Sequence, residues 1–224
     1  MGIFIVDTGN SRSFPGGLGL PGGTEQSVAA AKLVLVIGSE AAREAASLSQ
    51  WSNKQAVLVE LGTECLGVHT GESRGAESSN VLGFSRFRLG DAEPSKLVEL
   101  VRQPNSQPTA IQAAQEFFAS INLQTALCND FAGRIVDRLI RPYYNAALRR
   151  LDEQLATAED MDTTLRLGLG YPEGPIELLE RTGLAAHFSV SQALFDAYGE
   201  PAYCPARRAR VAAMRSQKQP PSKS

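Results

Sequence analysis

The hydrophobic pattern of this chain changes near residue 105, and that change limits the folds open to it. Before this point, short runs rich in Val, Ile and Leu alternate with segments rich in Gly and Ser. Continuous apolar runs of this length are typical of parallel strands that are buried on both faces. The first part therefore predicts a small α/β layer, with a helix over residues 39–51. The predicted strands are residues 2–7 (GIFIVD), 32–37 (KLVLVI), 55–61 (QAVLVEL) and 80–84 (NVLGF).

After residue 105, strand signals vanish and apolar residues recur at helical spacing. Pro142 predicts a kink in the longest helix, and Thr157 opens a T-A-E-D sequence that resembles a capping box. The basic end of the chain fades into a polar tail, which we expect to be disordered. The predicted domains are residues 1–105 (α/β) and 106–215 (helical), followed by the tail at 216–224. The predicted helices are residues 109–121, 134–155, 157–167, 176–183 and 188–199.

The composition excludes several classes of partner and site. With 43% hydrophobic residues and a net charge of −2, the chain gives no reason to expect nucleic-acid or membrane binding. It contains no apolar run of about 18 residues and no secretory signal, so we expect a cytoplasmic protein. Cys65, Cys128 and Cys204 are odd in number and widely spaced, which argues against a disulfide framework or a metal site. Histidine chemistry is limited to His69 and His187.

The stretch PGGLGLPGG contains a literal G-x-G-x-x-G at Gly17, Gly19 and Gly22. A dinucleotide-binding loop requires its first glycine directly after a strand, a helix directly after the loop, and an acidic residue about 20 positions later. Here the preceding strand ends at Asp7, ten residues too early, and Pro21 removes a backbone N–H that a phosphate would use. The stretch therefore predicts a turn-rich connection, with phosphate contact as the alternative.

Residues 129–184 carry a more specific pattern: NDFAGRIVDRLIRPYYNAALRRLDEQLATAEDMDTTLRLGLGYPEGPIELLERTGL. This run resembles the C-terminal helical domain of the 3-hydroxyacyl-CoA dehydrogenase family. That family shows D-x-P-G-F-I-V-N-R-L-L-x-P-Y-x-N-E-A, then D-I-D, then G-x-G-x-P-M-G-P-F-E-L-x-D-x-x-G-L. The GYPEGP turn, with Gly170, Tyr171 and Pro172, is a packing element in this family, so we expect a structural role for it.

The resemblance extends upstream. NVLGFSRFRLGDAEPSKLVELV is similar to the family's V-x-G-x-H-F-F-N-P-x-x-x-M-K-L-V-E-V, and QAVLVELGT takes the place of its strand ending in N-T-S. Residues 1–30 have no counterpart. The resemblance implies a truncated Rossmann-like parallel sheet followed by an all-α domain, as in the C-terminal half of long bacterial 3-hydroxybutyryl-CoA dehydrogenases. We expect this chain to be such a half existing alone or expressed alone.

Position by position, the resemblance implies a degenerate catalytic site. The family's catalytic histidine falls on Ser85, and a serine without a neighbouring base cannot accept a proton near pH 7. Its acidic partner is retained as Glu99, with nothing left to orient. The family's asparagine becomes Asp137, which exchanges an amide donor for an acceptor-only carboxylate, and an ion pair with Arg138 or Arg141 is the simpler interpretation. The serine of N-T-S falls near Thr63.

Another acid–base set is conceivable in the loop VELGTECLGVHTGES, although a solvated loop is favoured. Cys65 in the same loop is a candidate nucleophile, but no neighbour that would lower its pKa is evident, so a small buried role is favoured. The acidic and basic members of this loop are Glu60, Glu64, His69 and Glu72.

Three hypotheses follow. The favoured one is a non-catalytic member of the family that binds no cofactor and forms a homodimer through the helix at 134–155, or assists an active dehydrogenase partner. The second is an acyl-CoA-binding module that uses Arg86 and Arg88, or the basic cluster at 207–210, for the CoA phosphates. The third is an active NAD-dependent enzyme with a rebuilt site that uses Glu99 and the glycine-rich loop.

Overall fold

The computed structural model describes residues 2–20, 27–47, 51–71 and 79–218. Its contacts divide the chain into a first unit, residues 1–88 and 94–135, and a second unit, residues 89–93 and 136–224. The first unit contains a six-stranded sheet in which the strands are ordered as in the chain. The strands are β1 (Ile3–Asp7), β2 (Leu33–Ile37), β3 (Ala56–Glu60), β4 (Val81–Arg86), β5 (Leu97–Arg102) and β6 (Gln124–Asn129).

The first four strands confirm the expected parallel sheet. β1, β2, β3 and β4 pair in parallel, and every residue of β2 and β3 is buried. β5 then runs antiparallel to β4 and parallel to β6. The carboxyl ends of β5 and β6 therefore lie on the same side of the sheet as the amino ends of β1–β4.

The expectation that strands end before residue 105 is wrong, because β6 lies beyond it. This strand pairs on one side only, and its residues are half-buried or exposed, so it lacks the continuous apolar run that marks β2 and β3. The two compact units divide after residue 135, whereas the sequence divides the chain after residue 105. The reason is that β6 pairs with β5, and the helix before it packs on the sheet.

One face of the sheet is covered by α3 (Pro108–Ser120), which buries two adjacent phenylalanines. The ring of Phe118 lies 5.3 Å from Phe84 on β4, and Phe84 lies 6.1 Å from Phe14. Full burial of each such ring contributes about 1.5–3 kcal/mol. Phe14 thereby ties the segment after β1 to the core.

The other face carries short elements, α1 (Ala41–Ser47) and α2 (Gly67–Thr70). The loop after β3 crosses this face closely, because a Cβ atom on Gly83 would lie 2.4 Å from Cδ1 of Leu61. Glycine at this position is therefore a steric requirement.

The second unit is helical, as predicted, within the part of the chain that the structure describes. α4 continues through Pro142, so this proline does not end the helix. The predicted tail begins too early, since α8 includes residues 216–218, and residues 219–224 lie outside the described ranges. None of the helices in the described ranges has the length and apolar character needed to cross a membrane. The helices are α4 (Val136–Asp152), α5 (Ala158–Leu169), α6 (Pro175–Thr182), α7 (Leu184–Tyr198) and α8 (Arg207–Lys218).

Two capping arrangements in this unit connect sequence to packing. The Thr157 hydroxyl accepts the N–H of Asp160 at 3.1 Å, which confirms the predicted cap of α5. The buried carboxylate of Asp162 accepts the N–H groups of Ile176 and Glu177, both at 2.9 Å, and so caps α6. A Cβ atom on Gly174 would lie 2.2 Å from this carboxylate, so this glycine of the GYPEGP turn is closely packed, whereas the packing role expected of Gly170, Tyr171 and Pro172 stays a prediction.

Candidate functional site

The serine and the acid of the predicted site face each other across two strands. Ser85 on β4 is the direct cross-strand partner of Glu99 on the antiparallel β5. Side chains of directly opposed residues lie on the same face of a sheet. Both residues are buried, and the structure thus brings together the two members that the sequence assigned to the histidine and its acidic partner.

Glu99 is engaged by a residue that the sequence analysis did not single out. Its Oε1 accepts the N–H of Ile135 at 2.7 Å, and its Oε2 lies 3.8 Å from Nε of Arg134. Both side chains of this ion pair are 3% exposed. The structure therefore pairs this carboxylate with a buried guanidinium.

Arg134 is unusual in its backbone and in its hydrogen bonding. Its φ of 51° lies in the left-handed region, which costs a non-glycine residue on the order of 1 kcal/mol. Nη2 donates to the carbonyl of Gly62, whereas Nε and Nη1 have no hydrogen-bond partner among the described residues. Buried donors are normally satisfied, so these two nitrogens retain unused capacity.

The charges of Glu99 and Arg134 act on the thiol of Cys128 on β6. Burial, with a further contribution from the negative charge of Glu99, raises the pKa of its thiol to about 11. Because only the thiolate is strongly nucleophilic, Cys128 is unsuited to covalent chemistry near neutral pH.

Asp137, in the second unit, forms the ion pair that the sequence offered as the simpler interpretation. Its Oδ1 accepts from Nε of Arg141 at 2.7 Å, one helical turn away on α4. Arg141 is 2% exposed, so this pair is buried rather than superficial. The carboxylate is thus engaged within its own helix.

The same arginine determines the tautomer of His187 and helps to keep its ring neutral. Arg141 donates from Nη1 to Nδ1 of His187 at 3.0 Å, which leaves the ring proton on Nε2, 2.9 Å from Oδ1 of Asn145. Burial, together with the positive charge of Arg141, lowers the pKa of His187 to about 3. This histidine is a neutral member of a packed network and is poorly suited to accept a proton in catalysis.

The turn after β2 is where a dinucleotide phosphate would meet backbone N–H groups. These groups already have acceptors: Gly38 donates to Oε2 of Glu60 at 2.8 Å, Ser39 to the carbonyl of Gly9, and Glu40 to the hydroxyl of Thr8. A Cβ atom on Gly38 would lie 2.3 Å from that hydroxyl, so the two loops touch. The described residues at this position do not fit a nicotinamide dinucleotide.

Glu60, the last residue of β3, holds the segment after β1 by hydrogen bonds. Besides Gly38, it accepts the hydroxyl of Ser11 and the N–H of Ser13, both at 2.7 Å. Gly17 closes a turn by donating to the carbonyl of Phe14. Gly22, the last glycine of the motif, lies outside the described residues.

In the loop after β3, Nε2 of His69 lies 3.5 Å from Oε1 of Glu64, so the structure does bring one His–Glu pair together. The same carboxylate oxygen accepts the N–H of Gly62. Glu72 lies outside the described residues. Thr63 is half-buried, and its carbonyl accepts the N–H of Gly133.

Arg86 is committed to the fold. Its guanidinium donates to the carbonyls of Ser13, Pro94 and Ser95 at 2.6–3.1 Å and stacks over Phe14 at 5.3 Å. The carbonyl of Arg88 accepts from Arg12 at 3.1 Å. Ligand binding by Arg86 and Arg88 stays a prediction.

Some of these side chains border clefts formed by described residues of the first unit. One, of about 250 Å³, is bordered by the residues that follow β1, β2 and β3, including Arg12, Glu60 and Glu64. The other, of about 530 Å³, includes Cys65 and Arg102 in its wall. Among the described residues, no group of three or more His, Cys, Asp or Glu side chains is placed to hold a metal ion.

Sequence reasoning missed Arg134 although a signal existed. In the family pattern D-x-P-G-F-I-V-N-R, the phenylalanine falls on Arg134 of this chain. A charged residue at an aromatic position of the pattern was the available signal, and only the fold shows that it lies beside Glu99.

Comparison with known proteins gives a consistent pattern. Residues 133–222 match the family model described as the C-terminal domain of 3-hydroxyacyl-CoA dehydrogenase. The chain is 38% identical over 103 residues to 3-hydroxyadipyl-CoA dehydrogenase of Escherichia coli, covering 46% of this chain and 22% of that protein. It is 34% identical over 110 residues to 3-hydroxybutyryl-CoA dehydrogenase of Bradyrhizobium diazoefficiens, covering 49% and 38%. The chain thus spans less than half the length of these relatives.

Solved structures extend the likeness to the sheet. The crystal structure of 3-hydroxybutyryl-CoA dehydrogenase from Escherichia coli superposes with a TM-score of 0.72 at 26% identity, covering 86% of this chain and 42% of that one. (S)-3-hydroxybutyryl-CoA dehydrogenase from Ralstonia eutropha gives 0.68 at 22% identity, covering 84% and 66%, which shows a shared fold.

Proposed function

We propose that this chain, a member of the 3-hydroxyacyl-CoA dehydrogenase family, transfers no hydride by itself and acts as a dimerising or accessory module of acyl-CoA metabolism. The relatives it matches are named as dehydrogenases of hydroxyacyl-CoA substrates, which places the proposal in fatty-acid and acyl-CoA chemistry. Under this proposal, the chain keeps the fold of these relatives but does not carry out hydride transfer.

The observation that carries the proposal is the engagement of Glu99 by Arg134. Oxidation of a 3-hydroxyl group needs a base that can accept the hydroxyl proton. Ser85 has no such base across the sheet, because its neighbour Glu99 already accepts from Ile135 and pairs with a permanent cation. An arginine cannot serve as the base, since it does not lose its proton in proteins.

Two further features support the proposal independently. Asp137 pairs with Arg141 where the family pattern has an amide, so the polarity of that position is reversed. The N–H groups of the turn after β2 are held by the chain itself, so they would have to break existing bonds to bind a pyrophosphate. Each change alone would weaken hydride transfer.

Exposed apolar side chains in the second unit support the dimerising role. Large apolar side chains that stay exposed to solvent are candidates for an interface when a partner can cover them. Leu139 on α4 is 71% exposed, Leu167 on α5 is 83% exposed, and Met214 on α8 is 56% exposed. A second copy of the chain is the partner proposed to cover these side chains, with an active dehydrogenase subunit as the alternative.

An oxidation–reduction assay tests the catalytic part. Purified protein is mixed with NADH and acetoacetyl-CoA, and NADH consumption is followed at 340 nm, with nicotinamide fluorescence as a separate measure of binding. We expect neither consumption nor saturable enhancement. NADH consumption that is abolished by Glu99→Gln or Ser85→Ala would overturn the proposal, while activity that survives both variants identifies a contaminating enzyme.

Light scattering after size-exclusion chromatography tests the dimerising part. We expect a mass near 48 kDa, twice the 24.0 kDa of one chain. The variant Leu139→Glu with Leu167→Glu should reduce the mass to that of one chain, whereas Glu159→Gln on an exposed position of α5 should leave it unchanged. A monomeric parent protein at micromolar concentration contradicts self-association and leaves association with a dehydrogenase subunit to be tested by mixing.

A further inference from the structure

The cleft of about 530 Å³ in the first unit has no role in the proposed function. It lies where β5 and β6 end, and crevices at the carboxyl ends of parallel strands are the usual ligand positions in open α/β sheets. Its volume falls within the range of small-molecule sites, about 300–1,000 Å³. The lining residues used below are Cys65, Arg102, Gln103, Asn129, Asp130 and Phe131.

Arg102 supplies the cation of this cleft. It is the last residue of β5 and the cross-strand partner of Asn129, the last residue of β6. Its Nε donates to Oδ1 of Asn129 at 3.2 Å, which fixes the guanidinium at the strand ends. Its two terminal nitrogens have no acceptor among the described residues, and a guanidinium held in this way presents a fork suited to a phosphate.

Asp130 is the one carboxylate among these lining residues, and its oxygens are occupied. Oδ1 accepts the N–H of Leu66 at 2.6 Å, and Oδ2 accepts the N–H of Gly67 at 2.7 Å and the amide of Gln103 at 3.2 Å. These donors offset its negative charge and keep it from competing for Arg102. The cleft therefore keeps a cation that is available to an anionic ligand.

Phe131 supplies a partly exposed aromatic ring to the same cleft. It follows Asn129 by two residues, lines the same cleft and is 51% exposed to solvent. An exposed aromatic face next to an arginine is the combination that binds a nucleobase by stacking and its phosphate by charge-assisted hydrogen bonds.

We propose that this cleft binds a nucleoside phosphate, with the base against Phe131 and the phosphate on Arg102. The inference is independent of the proposed function, because neither Ser85 nor Glu99 lines the cleft. A free nucleotide and the nucleotide part of a larger coenzyme share this chemistry, and the experiment separates them.

Calorimetric titration of the full chain with AMP is the first test, with adenosine and inorganic phosphate titrated separately. We expect saturable binding of AMP, with adenosine and phosphate each at least about tenfold weaker. Competition by coenzyme A assigns the site to a coenzyme's nucleotide, and AMP binding that coenzyme A does not displace assigns it to a free nucleotide. Absence of AMP binding, or equal binding of phosphate alone, overturns the proposal.

Variants tie the binding to the cleft. Arg102→Gln and Phe131→Ala should each weaken AMP binding about tenfold, whereas Phe131→Tyr keeps the stacking face and should bind as the parent does. Arg43→Gln is the matched control, because its side chain is 86% exposed and remote in sequence from the cleft residues. Unchanged AMP binding in both Arg102→Gln and Phe131→Ala, with folded circular dichroism spectra, contradicts the proposal.

Protection of Cys65 gives a readout that does not depend on affinity measurements. Cys65 lines the cleft and is partly exposed, so AMP should slow its alkylation by iodoacetamide, followed by peptide mass spectrometry. Cys204 in the second unit is the internal control and should react at the same rate with and without AMP. Equal alkylation of Cys65 in the presence of saturating AMP would place the nucleotide elsewhere.

Discussion

Two buried arginines of this protein form ion pairs with carboxylates, yet they are built in opposite ways. In the second unit, Arg141 donates to Asp137 at 2.7 Å and to His187 at 3.0 Å, and His187 continues to Asn145. In the first unit, Nε of Arg134 lies 3.8 Å from Glu99, beyond hydrogen-bond distance, and Nε and Nη1 have no hydrogen-bond partner among the described residues. The first arrangement is a completed polar network, whereas the second is an incomplete one.

The number of satisfied donors indicates which of the two ion pairs stabilises the fold. A buried polar network stabilises a fold only when its members are satisfied, because each unpaired buried donor costs about 1–3 kcal/mol. The network of Arg141 meets that condition and fixes the packing of α4 against α7. The site of Arg134 does not, because Nε and Nη1 have no hydrogen-bond partner among the described residues.

The largest expected effect comes from breaking the completed network. Arg141→Met leaves Asp137 and His187 without their partner and should lower the free energy of unfolding by about 3–5 kcal/mol, the usual loss for a broken buried pair. Urea denaturation followed by circular dichroism measures the change. Arg150→Met on the same helix is the control, since the pair of Arg150 with Glu153 is more than half exposed and should contribute less than about 1 kcal/mol. A similar loss in both variants would show that Arg141 has no special role.

The second effect is a pH dependence that belongs to the same network. The pKa of His187 is about 3 in the folded state, below its ordinary value of 6.5, so the unfolded chain binds the additional proton between these values. Stability is therefore complete above pH 6.5 and falls as the pH decreases, by up to about 1.4 kcal/mol per pH unit from this group. Thermal unfolding between pH 7 and pH 4 should show this slope, and His187→Gln should reduce it. An equal slope in His187→Gln would assign the acid sensitivity to carboxylates instead.

The third effect concerns the incomplete pair and should be smaller. Arg134→Met removes a guanidinium that has one hydrogen bond and two nitrogens without a hydrogen-bond partner among the described residues, and it leaves Glu99 bonded to the N–H of Ile135. We expect a loss of about 1–2 kcal/mol in the free energy of unfolding, less than for Arg141→Met. A loss as large as that of Arg141→Met would remove the distinction between the two sites.

The fold could be predicted from the sequence where the physical signal is local and strong. The apolar runs of β2 and β3, buried at every position, show the parallel sheet, and the helical periodicity after residue 105 shows the helices, although α3 belongs to the first unit and only α4 to α8 form the second. β6 was missed because its half-exposed edge position removes the apolar run. Register, sheet order and the antiparallel turn into β5 depend on long-range pairing, for which no local residue carries a signal.

The candidate site was predicted in part. Ser85 and Glu99 were found by resemblance, and the structure confirms that they are cross-strand neighbours. Arg134 was not found, because its contact with Glu99 joins positions 35 residues apart and depends on a left-handed backbone that sequence does not reveal for arginine. The hydrogen bonds from Ser11 and Ser13 to Glu60 were missed because they join positions 49 and 47 residues apart.

The smallest effect tests whether the charge of Asp137 matters beyond its hydrogen bond. Asp137→Asn restores the amide of the family pattern and keeps an oxygen that can accept from Nε of Arg141, so only the charge attraction is lost. Because the Asp137 side chain is 14% exposed, water weakens that attraction, and we expect a loss of about 0.5–1 kcal/mol by urea denaturation. Asp137→Leu, which removes the acceptor as well, should cost more. If Asp137→Asn is as damaging as Asp137→Leu, the carboxylate is fixed by its charge, and the change from amide to acid is what the fold of the second unit requires.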